Sequence, residues 1–372
     1  MLVFCSEVLF NSVSSEQNCK RFHCSLLTAH CSLPIMFSFK KILILILFLF
    51  CSQTAKADWV KQQSNSLAWF HDVYFLTENK GWIAGSGGTL LVTIDGGKSW
   101  RKAENFTEDT IREVYFNDEN NGWLLCERSI YNLGARAPSY LLKTSDGGAN
   151  WGRIEFSDSK RERIAGIFFN ERGSGAAIGE GGAYFTLQDD KKTWKKMSSP
   201  VRYLMLDGIF TDDSHGAMVG AGGTILFTED AGLSWNKSTV LGDSNAKLNS
   251  VFFINQKTGW TVGTQGKIYQ TFNGGKVWRE QNSNTAKDLT DVFFNNTAEG
   301  WAVGEEGLIL HTTTAGNVWK SVEPKAKHRL EKIFFVGKKG WAVGFGGTIL
   351  FYNEGAAKND ASSMPPKLKT RN

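Results

Sequence analysis

Residues 289–323 read LTDVFFNNTAEGWAVGEEGLILHTTTAGNVWKSVE, and this stretch decides the fold of the chain. It contains four short runs rich in β-branched and aromatic residues, separated by polar or glycine-bearing turns, at 289–294, 300–304, 307–312 and 319–323. Such runs predict β-strands, and four of them in about 40 residues predict one propeller blade. The first run is apolar nearly throughout, as expected for an innermost strand that is covered on both faces.

The same unit returns along the chain. Its second strand begins with Gly-Trp five times and with Gly-Ala twice, at Gly81, Gly122, Gly175, Gly216, Gly259, Gly300 and Gly340. The intervals are 41, 53, 41, 43, 41 and 40 residues, and the long one marks an insertion in the second unit. The sequence therefore predicts an all-β, seven-bladed β-propeller with four-stranded blades. A helical solenoid of similar period is the competing fold, and the β-rich runs with glycine turns argue against it.

The two ends of the chain are predicted to meet in one blade. The fourth strand of a unit begins at a tryptophan, which occurs six times, at Trp100, Trp151, Trp194, Trp235, Trp278 and Trp319. The seventh unit stops at Tyr352 without one, whereas Trp59 stands alone before the first unit. We therefore expect the N-terminal strand around Trp59 to close the last blade, which leaves no open edge between the first and last blades.

Composition narrows the class of protein further. The 372 residues include 39 Gly, 13 Trp and 13% aromatics, which argues against a disordered protein. A net charge of +5 is too small to suggest a nucleic-acid binder. The histidines after residue 57 fall in four different units, so they do not have the spacing of a metal site, and no cofactor-binding motif is found. We expect no metal, no cofactor and a monomer.

The first 57 residues differ from the rest. Residues 36–57 read MFSFKKILILILFLFCSQTAKA, with two lysines, a short apolar run and small residues near the end, which predicts a secretory signal peptide. Residues 1–35 are polar and contain cysteines, and we interpret them as a mis-called extension upstream of a true start at Met36. An uncleaved anchor is one alternative. A lipoprotein site at Cys51 is another, which the bulky Phe50 before it disfavours.

These boundaries give the predicted domain organisation. The propeller is expected to span residues 58–354, and residues 355–372 are expected to be a disordered polar tail. The tail is interpreted as a solubilising end, with a peripheral electrostatic contact to a membrane surface as the alternative. The signal peptide predicts an exported protein, located in the periplasm or outside the cell.

A recurrent turn precedes the fourth-strand tryptophan. It reads TIDGGKSW at 93–100 and returns in related form at 144–151, 228–235 and, with Asn for Asp, at 271–278. The turn resembles the Asp-box, or bacterial neuraminidase repeat, of sialidase-like propellers. Because a short carboxylate or amide can accept N–H groups of its own turn, we predict a structural role for Asp95, Trp100, Asp146, Trp151, Asp230, Trp235, Asn273 and Trp278. The tryptophan is expected to pack under the next blade.

The whole unit, from its apolar first strand through Gly-Trp-Ala-Val-Gly to the Asp-box, resembles the photosystem II stability/assembly factor family over residues 58–353. The resemblance implies an exported, non-catalytic propeller that binds a membrane-protein subunit during assembly. The implied partner is therefore a protein subunit of a membrane or envelope complex. If the source is photosynthetic, the implied location is the thylakoid lumen.

Basic residues near the starts of the inner strands form the candidate partner-binding site. Such strand starts surround the central channel on one face, so these side chains are predicted to converge there: Arg112, Arg163, Lys247, Lys287 and Arg329. The insertion in the second unit adds Arg128, Tyr131 and Arg136, residue types enriched at interface hot spots. The alternative is a solvated rim that acidic residues of the same loops neutralise: Glu104, Glu108, Asp109, Glu162, Asp243, Asp288, Glu305 and Glu306.

Two other functions stay open from the sequence. A carbohydrate-active or glycan-binding propeller of sialidase type would need an arginine cluster, a Tyr nucleophile with a Glu partner and an acid/base Asp. Neither that set on matching inner-strand positions nor the Phe/Tyr-Arg-Ile-Pro motif of sialidases is found in the sequence. A cell-surface interaction module without an assembly role is the third alternative.

Overall fold

The computed structural model describes residues 58–353, except 130, 132, 133, 135, 157–161, 244 and 324. The segments predicted as extension, signal peptide and tail, at 1–35, 36–57 and 355–372, lie outside the described residues. In the part of the chain that is described, no helix is long and apolar enough to cross a membrane.

The described residues form seven β-sheets, and the seven-bladed propeller predicted from the repeat is confirmed. The strands of blades 1 to 3 are β2 (Phe70–Phe75), β3 (Gly81–Gly85), β4 (Thr89–Thr93), β5 (Arg101–Lys102), β6 (Thr110–Phe116), β7 (Gly122–Glu127), β8 (Ser139–Thr144), β9 (Gly152–Ile154), β10 (Ile164–Phe169), β11 (Gly175–Gly179), β12 (Tyr184–Leu187) and β13 (Trp194–Lys196). Each of these blades runs from its innermost to its outermost strand in chain order.

Blades 4 and 6 follow the same order, whereas the outermost strand of blades 5 and 7 precedes the other strands of its blade in the chain. The strands of blades 4 to 7 are β14 (Met205–Phe210), β15 (Gly216–Gly220), β16 (Ile225–Thr228), β17 (Asn236–Lys237), β18 (Thr239–Leu241), β19 (Leu248–Phe253), β20 (Gly259–Gly263), β21 (Ile268–Thr271), β22 (Val277–Gln281), β23 (Leu289–Phe294), β24 (Gly300–Gly304), β25 (Ile309–Thr312), β26 (Lys320–Ser321), β27 (Leu330–Val336), β28 (Lys339–Gly344) and β29 (Thr348–Asn353). Short 3₁₀ turns link the second and third strands at Glu180–Gly182, Ala221–Gly223, Thr264–Gly266, Glu305–Gly307 and Phe345–Gly347.

Blade 5 has one strand more than the repeat predicts. β18 leaves the end of blade 4 and pairs in parallel with β22, with Val240 opposite Trp278. It therefore covers the outer edge of blade 5, and sheet edges that are covered in this way are protected from pairing with other chains.

The last blade is closed by the N-terminal strand β1 (Trp59–Gln62), as predicted. β1 pairs antiparallel with β29, and Trp59 lies opposite Tyr352. The Trp59 ring is 2% exposed and meets the Trp301 ring of blade 6 edge-on at 5.6 Å. A buried tryptophan of this kind contributes several kcal/mol, so the closing strand is anchored by packing as well as by hydrogen bonds.

Neighbouring blades are joined by stacked aromatic rings. The tryptophan of a Gly-Trp pair stacks on a phenylalanine in the inner strand of the following blade, as Trp260 does on Phe294 at 3.4 Å and Trp82 on Phe116 at 3.9 Å. The glycine before the tryptophan is required by a close approach within its own blade. A Cβ at Gly300 would lie 2.5 Å from the Phe294 ring.

The Asp-box tryptophans pack differently from the prediction. Trp319 of blade 6 belongs to a buried cluster with Trp260 and Ile268 of blade 5, so it packs against the preceding blade and not under the next one. The expectation was wrong because the sequence does not reveal which face of a twisted sheet the outermost strand turns toward.

Candidate functional site

The two faces of the propeller are built from different turns. The inner strands begin on the face that carries the turns between second and third strands, where Gly88 donates a hydrogen bond to the Asp109 carbonyl. The Asp-boxes lie beside the turns between first and second strands, where Gly96 donates to the Asn79 carbonyl. We call these the mouth face and the Asp-box face.

On the mouth face, two of the predicted arginines converge on one carboxylate. Glu127, at the end of β7, has Oε2 2.7 Å from Arg112 Nε and 3.5 Å from Arg163 Nη1. Arg163 also pairs with Glu180, with 3.2 Å between Nε and Oε1. Ion pairs that solvent reaches contribute little stability, so an incoming carboxylate can exchange with Glu127 or Glu180 at low cost.

A third predicted arginine, Arg329, is connected to Arg112 by a series of contacts that includes two aromatic rings. Arg329 Nε lies 2.9 Å from Glu331 Oε1, which also accepts a hydrogen bond of 2.8 Å from Trp69 Nε1. The Trp69 ring lies 5.2 Å from the His71 ring, and His71 Nδ1 is 3.5 Å from Arg112 Nη1. The contacts run from blade 7 through blades 1 and 2 to blade 3. We call this set the mouth arc: Arg329, Glu331, Trp69, His71, Arg112, Glu127, Arg163 and Glu180.

The histidine of the mouth arc is neutral. Burial, together with the positive charges of Arg112 and Arg329, lowers the pKa of His71 to about 3. A group with that pKa does not titrate near neutrality, so His71 separates the two arginines as an uncharged ring.

An aromatic shelf adjoins the mouth arc. Trp69 and Phe345 are 38% and 45% exposed, and their rings lie 5.5 Å apart. The His328 ring lies 5.4 Å from Phe345, and Leu67 is 90% exposed nearby in the chain. Exposed aromatic side chains beside arginines form the kind of surface that is enriched at protein interfaces.

Arg128 does not belong to this surface, which corrects the prediction. Its side chain is buried, with the guanidinium 4.4 Å from the Tyr140 ring centroid and Nη2 2.5 Å from Glu155 Oε1. It also donates a hydrogen bond to the Ala137 carbonyl. Arg128 therefore links Ala137 to Tyr140 and Glu155 within blade 2 and is not available to a partner.

The other predicted residues stand apart from the mouth arc. Lys287 forms its own ion pair with Glu306, with 2.6 Å between Nζ and Oε2, and Lys247 is exposed in blade 5. Tyr131 and Arg136 of the insertion are exposed, and Tyr131 is 90% accessible. Their roles in binding stay predictions. The predicted neutralising acids include two that do pair with candidate cations, Glu305 with Arg329 and Glu306 with Lys287.

Below the mouth, charged side chains that the sequence did not single out line the channel. In five blades one charged residue near the start of the inner strand lines the same central cavity, the third residue of the strand in blades 1, 4, 6 and 7 and the fourth in blade 2. We call this set the inner ring: Asp72, Glu113, Asp207, Asp291 and Lys332. Gly166 and Ser250 occupy the equivalent positions of blades 3 and 5.

Each carboxylate of the inner ring is hydrogen-bonded to the next blade. Backbone N–H groups of the following inner strand donate to them, in the order Val114 to Asp72 at 2.9 Å, Ile167 to Glu113 at 2.7 Å, Val251 to Asp207 at 2.9 Å and Ile333 to Asp291 at 2.8 Å. These bonds satisfy donors that would otherwise be buried without partners. The carboxylates therefore join blade to blade along the channel wall.

Lys332 is the cation of the inner ring. Its Nζ lies 3.4 Å from Asp291 Oδ1. Burial lowers the pKa of Lys332, but the charges of the four carboxylates together outweigh burial and raise this pKa well above the usual range. Burial raises the pKa of Asp72 to about 6, and it also raises the pKa values of Glu113 and Asp291. The ring is thus a compact charge cluster in which one ammonium group faces four carboxyl groups.

The Asp-boxes have the local geometry expected from their sequence. Asp95 accepts hydrogen bonds from Thr93 Oγ1 at 2.8 Å and from the Ser99 N–H at 3.0 Å. Hydrogen bonds from Ser99 lower the pKa of Asp95 to about 2. Asn273 replaces Asp in blade 5 and accepts the matching bonds from Thr271 and Val277 at 3.0 Å. In the described residues, no group of His, Cys, Asp or Glu side chains could hold a metal ion.

Sequence reasoning missed Trp69, Phe345 and the inner ring. The sequence did contain a signal for the ring, which is a constant spacing. Each member lies nine residues before the glycine of its Gly-Trp or Gly-Ala pair, except in blade 7, where the spacing is eight. For Trp69, the only signal in the sequence was its position next to the start of an inner strand.

Three comparisons relate the chain to known proteins. The family model of the photosynthesis system II assembly factor YCF48 matches residues 51–197, 186–257, 243–328 and 284–369. The photosystem II assembly lipoprotein Ycf48 of Trichormus variabilis is 39% identical over 62 residues, which is 16% of this chain. The match spans 18% of that relative's length.

Solved propellers resemble the structure over most of its length. A YCF48 with a bound D1 peptide has a TM-score of 0.65 at 22% identity, covering 79% of this chain and 94% of that chain. The YCF48 of Cyanidioschyzon merolae has a TM-score of 0.65 at 18% identity, with 79% and 98% covered. Virginiamycin B lyase of Staphylococcus aureus has a TM-score of 0.68 at 12% identity, with 80% and 99% covered. At these identities the similarity is one of fold.

Proposed function

The chain belongs to the photosynthesis system II assembly factor YCF48 family, and on that premise we propose that it is a non-catalytic factor for the assembly or stability of a membrane protein complex. Its partner is a protein subunit of that complex, bound at the mouth face. Where the source makes photosystem II, that subunit is D1, the protein whose peptide is bound in a solved YCF48.

The observation that carries this proposal is the mouth arc with its aromatic shelf. The arc offers the guanidinium groups of Arg112, Arg163 and Arg329, and solvent reaches each of them. The shelf offers the exposed rings of Trp69 and Phe345. An extended segment with acidic groups and an apolar side chain fits this combination, because carboxylates pair with arginine and apolar groups cover the rings.

The location follows the same proposal. Residues 36–57 act as an export signal, the propeller of 58–354 works on the far side of an inner membrane, and the tail of 355–372 keeps the protein in solution. The relative in Trichormus variabilis is a lipoprotein, which supports export of this chain as well.

Affinity capture tests the partner and the surface together. The tagged protein is recovered from gently solubilised native membranes, and the co-eluting proteins are identified by mass spectrometry. We expect one membrane subunit, enriched while its complex is being built. Arg163→Glu with Trp69→Ser should reduce its recovery about tenfold, because both an ion pair and an aromatic contact are lost.

The matched control is Lys98→Glu, a charge reversal in an exposed turn of the Asp-box face. It should leave recovery unchanged. Equal recovery with the mouth variant would contradict the proposed surface. Recovery of glycans alone, or turnover of a fluorogenic sialoside, would contradict the assembly function.

A further inference from the structure

A cleft opens on the Asp-box face between blades 2 and 3. It has a volume of about 150 Å³, and its walls include Tyr115, Trp123 and Phe169. Its remaining walls are mostly polar, from Asn117, Asn121 and Arg172, and its volume is about that of a cavity that holds one benzene-sized ring. The cleft lies on the opposite face from the mouth arc and plays no part in the proposed function.

The cleft exists because the aromatic contact between these blades is loose. Trp123 and Phe169 have ring centroids 5.7 Å apart, whereas Trp82 and Phe116 at the preceding seam are 3.9 Å apart. Tyr115 stacks on Phe169 at 4.6 Å and forms a flat wall. A planar ligand can therefore lie against aromatic faces.

Two lysines lie at the rim of the cleft, and neither forms an ion pair with a carboxylate in the part of the chain that the structure describes. Lys143 Nζ lies 4.9 Å from the Trp123 ring and donates a hydrogen bond of 2.6 Å to the Lys191 carbonyl. Lys191 Nζ donates to the Gly173 carbonyl at 3.1 Å. Among the described residues, neither ammonium group has a carboxylate within ion-pair distance, whereas Arg172 beside them is paired with Asp213 at 2.7 Å. An ammonium group has three N–H donors, so both lysines keep donors for a ligand.

The lysines repel one another. Burial lowers the pKa of Lys143, and the charges of Lys192 and Lys191 lower it further against the opposing effect of Asp190. A negative charge in the cleft would relieve this repulsion.

Two features of the sequence distinguish the contact between blades 2 and 3, where the cleft lies. Lys143 lies opposite Trp123 in the sheet, at a position filled by Val92 in blade 1 and by Gln270 in blade 5. The turn of blade 3 that corresponds to the Asp-box is one residue longer and has no glycine. Its Lys191 adopts φ of 55°, a left-handed conformation that costs energy in a residue other than glycine.

We propose that this cleft is a second binding site, which takes a carboxylate attached to a single aromatic ring. The ring lies against Trp123 and Phe169, and the carboxylate accepts hydrogen bonds from Lys143 and Lys191. Such a group occurs in a free aromatic acid or at a polypeptide C-terminus that ends in an aromatic residue.

NMR of the purified protein labelled with ¹⁵N tests the proposal, with the indole resonance of Trp123 assigned from Trp123→Phe. Phenylacetate should shift this resonance at concentrations about tenfold lower than phenylacetamide, because only the acid pairs with the lysines. Added salt should weaken the acid and not the amide. N-acetylphenylalanine distinguishes the two sources, since it binds more tightly than phenylacetate only if a polypeptide end is the preferred ligand.

Lys143→Met removes the charge and keeps most of the side chain, and it should weaken phenylacetate about tenfold. Lys98→Met, on the same face, is the matched control and should have no effect. Equal binding of acid and amide, salt-independent binding of the acid, or no shift with either acid would overturn the proposal. The salt and amide comparisons use the unmutated protein, so they decide the question even if Lys143→Met does not fold.

Discussion

Aspartates recur along this propeller in two regions, and the two sets behave in opposite ways. Asp95 of an Asp-box accepts hydrogen bonds within its own turn, and its pKa is lowered to about 2. Asp72 of the inner ring accepts a hydrogen bond from Val114 of the next blade, and its pKa is raised to about 6. Aspartate thus stabilises a single turn at the rim, as Asp95 does, and connects two blades at the axis, as Asp72 does.

The difference follows from what surrounds each carboxylate. At the rim, water and turn donors stabilise the ionised form, whereas burial in the channel destabilises it. Each Asp-box is also independent of the others, while the inner ring shares Lys332 as its cation. A substitution in an Asp-box should therefore affect one turn, whereas a substitution in the inner ring should weaken the contacts between several blades.

The largest effect is expected for Lys332→Met. It leaves the buried carboxylates of Asp72 and Asp291 without the cation that faces them, and a buried carboxylate that loses its partner in this way costs about 3 kcal/mol. The free energy of unfolding, measured by urea titration at pH 7, should fall by that amount. Lys98→Met in an Asp-box turn is the control and should change it by less than about 0.5 kcal/mol. Equal effects of the two variants would remove the distinction between axis and rim.

A smaller effect is expected from pH at Asp72. Its pKa is about 6 in the folded protein and about 3.9 in an unfolded chain, so the folded state binds more protons between those values. The stability that Asp72 contributes is therefore complete below pH 4 and lost as the pH rises through 6. Compared with Asp72→Asn, the unmutated protein should gain about 2 kcal/mol on going from pH 7 to pH 4.

The stability that Asp95 of an Asp-box contributes changes with pH in the opposite direction and over a lower pH range. The lowered pKa of Asp95 means that its contribution is present above pH 4 and lost as the pH falls toward 2. Urea titrations of the unmutated protein, Asp72→Asn and Asp95→Asn at pH 2.5, 4, 5.5 and 7 would separate the two. A pH dependence of the same sign at both sites would contradict the comparison.

The smallest effects are expected from single substitutions in an Asp-box. Asp95→Ala removes three hydrogen bonds at an accessible turn and should cost about 1 kcal/mol in urea unfolding. Asp95→Asn should be nearly neutral, because Asn273 already makes the bonds in blade 5 that correspond to those from Thr93 and from the Ser99 N–H. A cost for Asn as large as that for Ala would show that the negative charge matters, and not only the acceptor oxygen.

The sequence predicted the architecture because a blade has to repeat its own apolar and glycine positions to pack against its neighbours. The spacing of the Gly-Trp pairs and the isolated Trp59 were enough to predict seven blades and their closure. These signals are local, and each recurs often enough to be recognised in a single chain.

The site was predicted only in part, because it depends on register and on distant partners. The inner ring escaped notice because each inner strand shifts register just before its inner-ring position, as between Phe70 and Asp72, and a bulge of this kind turns the following residue toward the channel. Arg128 was misplaced because the side chains that bury it, Tyr140 and Glu155, come later in the sequence.

The pairing of β1 with β29 has a consequence for how the protein is made. Lys61 lies opposite Leu350, so the first strand to leave the ribosome waits for the last one before it has a partner. Blades 1 to 6 can each form from contiguous chain as it emerges, but the ring stays open until β29 has been synthesised. The final step is then the closure of a loop of almost the whole domain, which is slow and leaves two unpaired strand edges exposed to other nascent chains in the meantime.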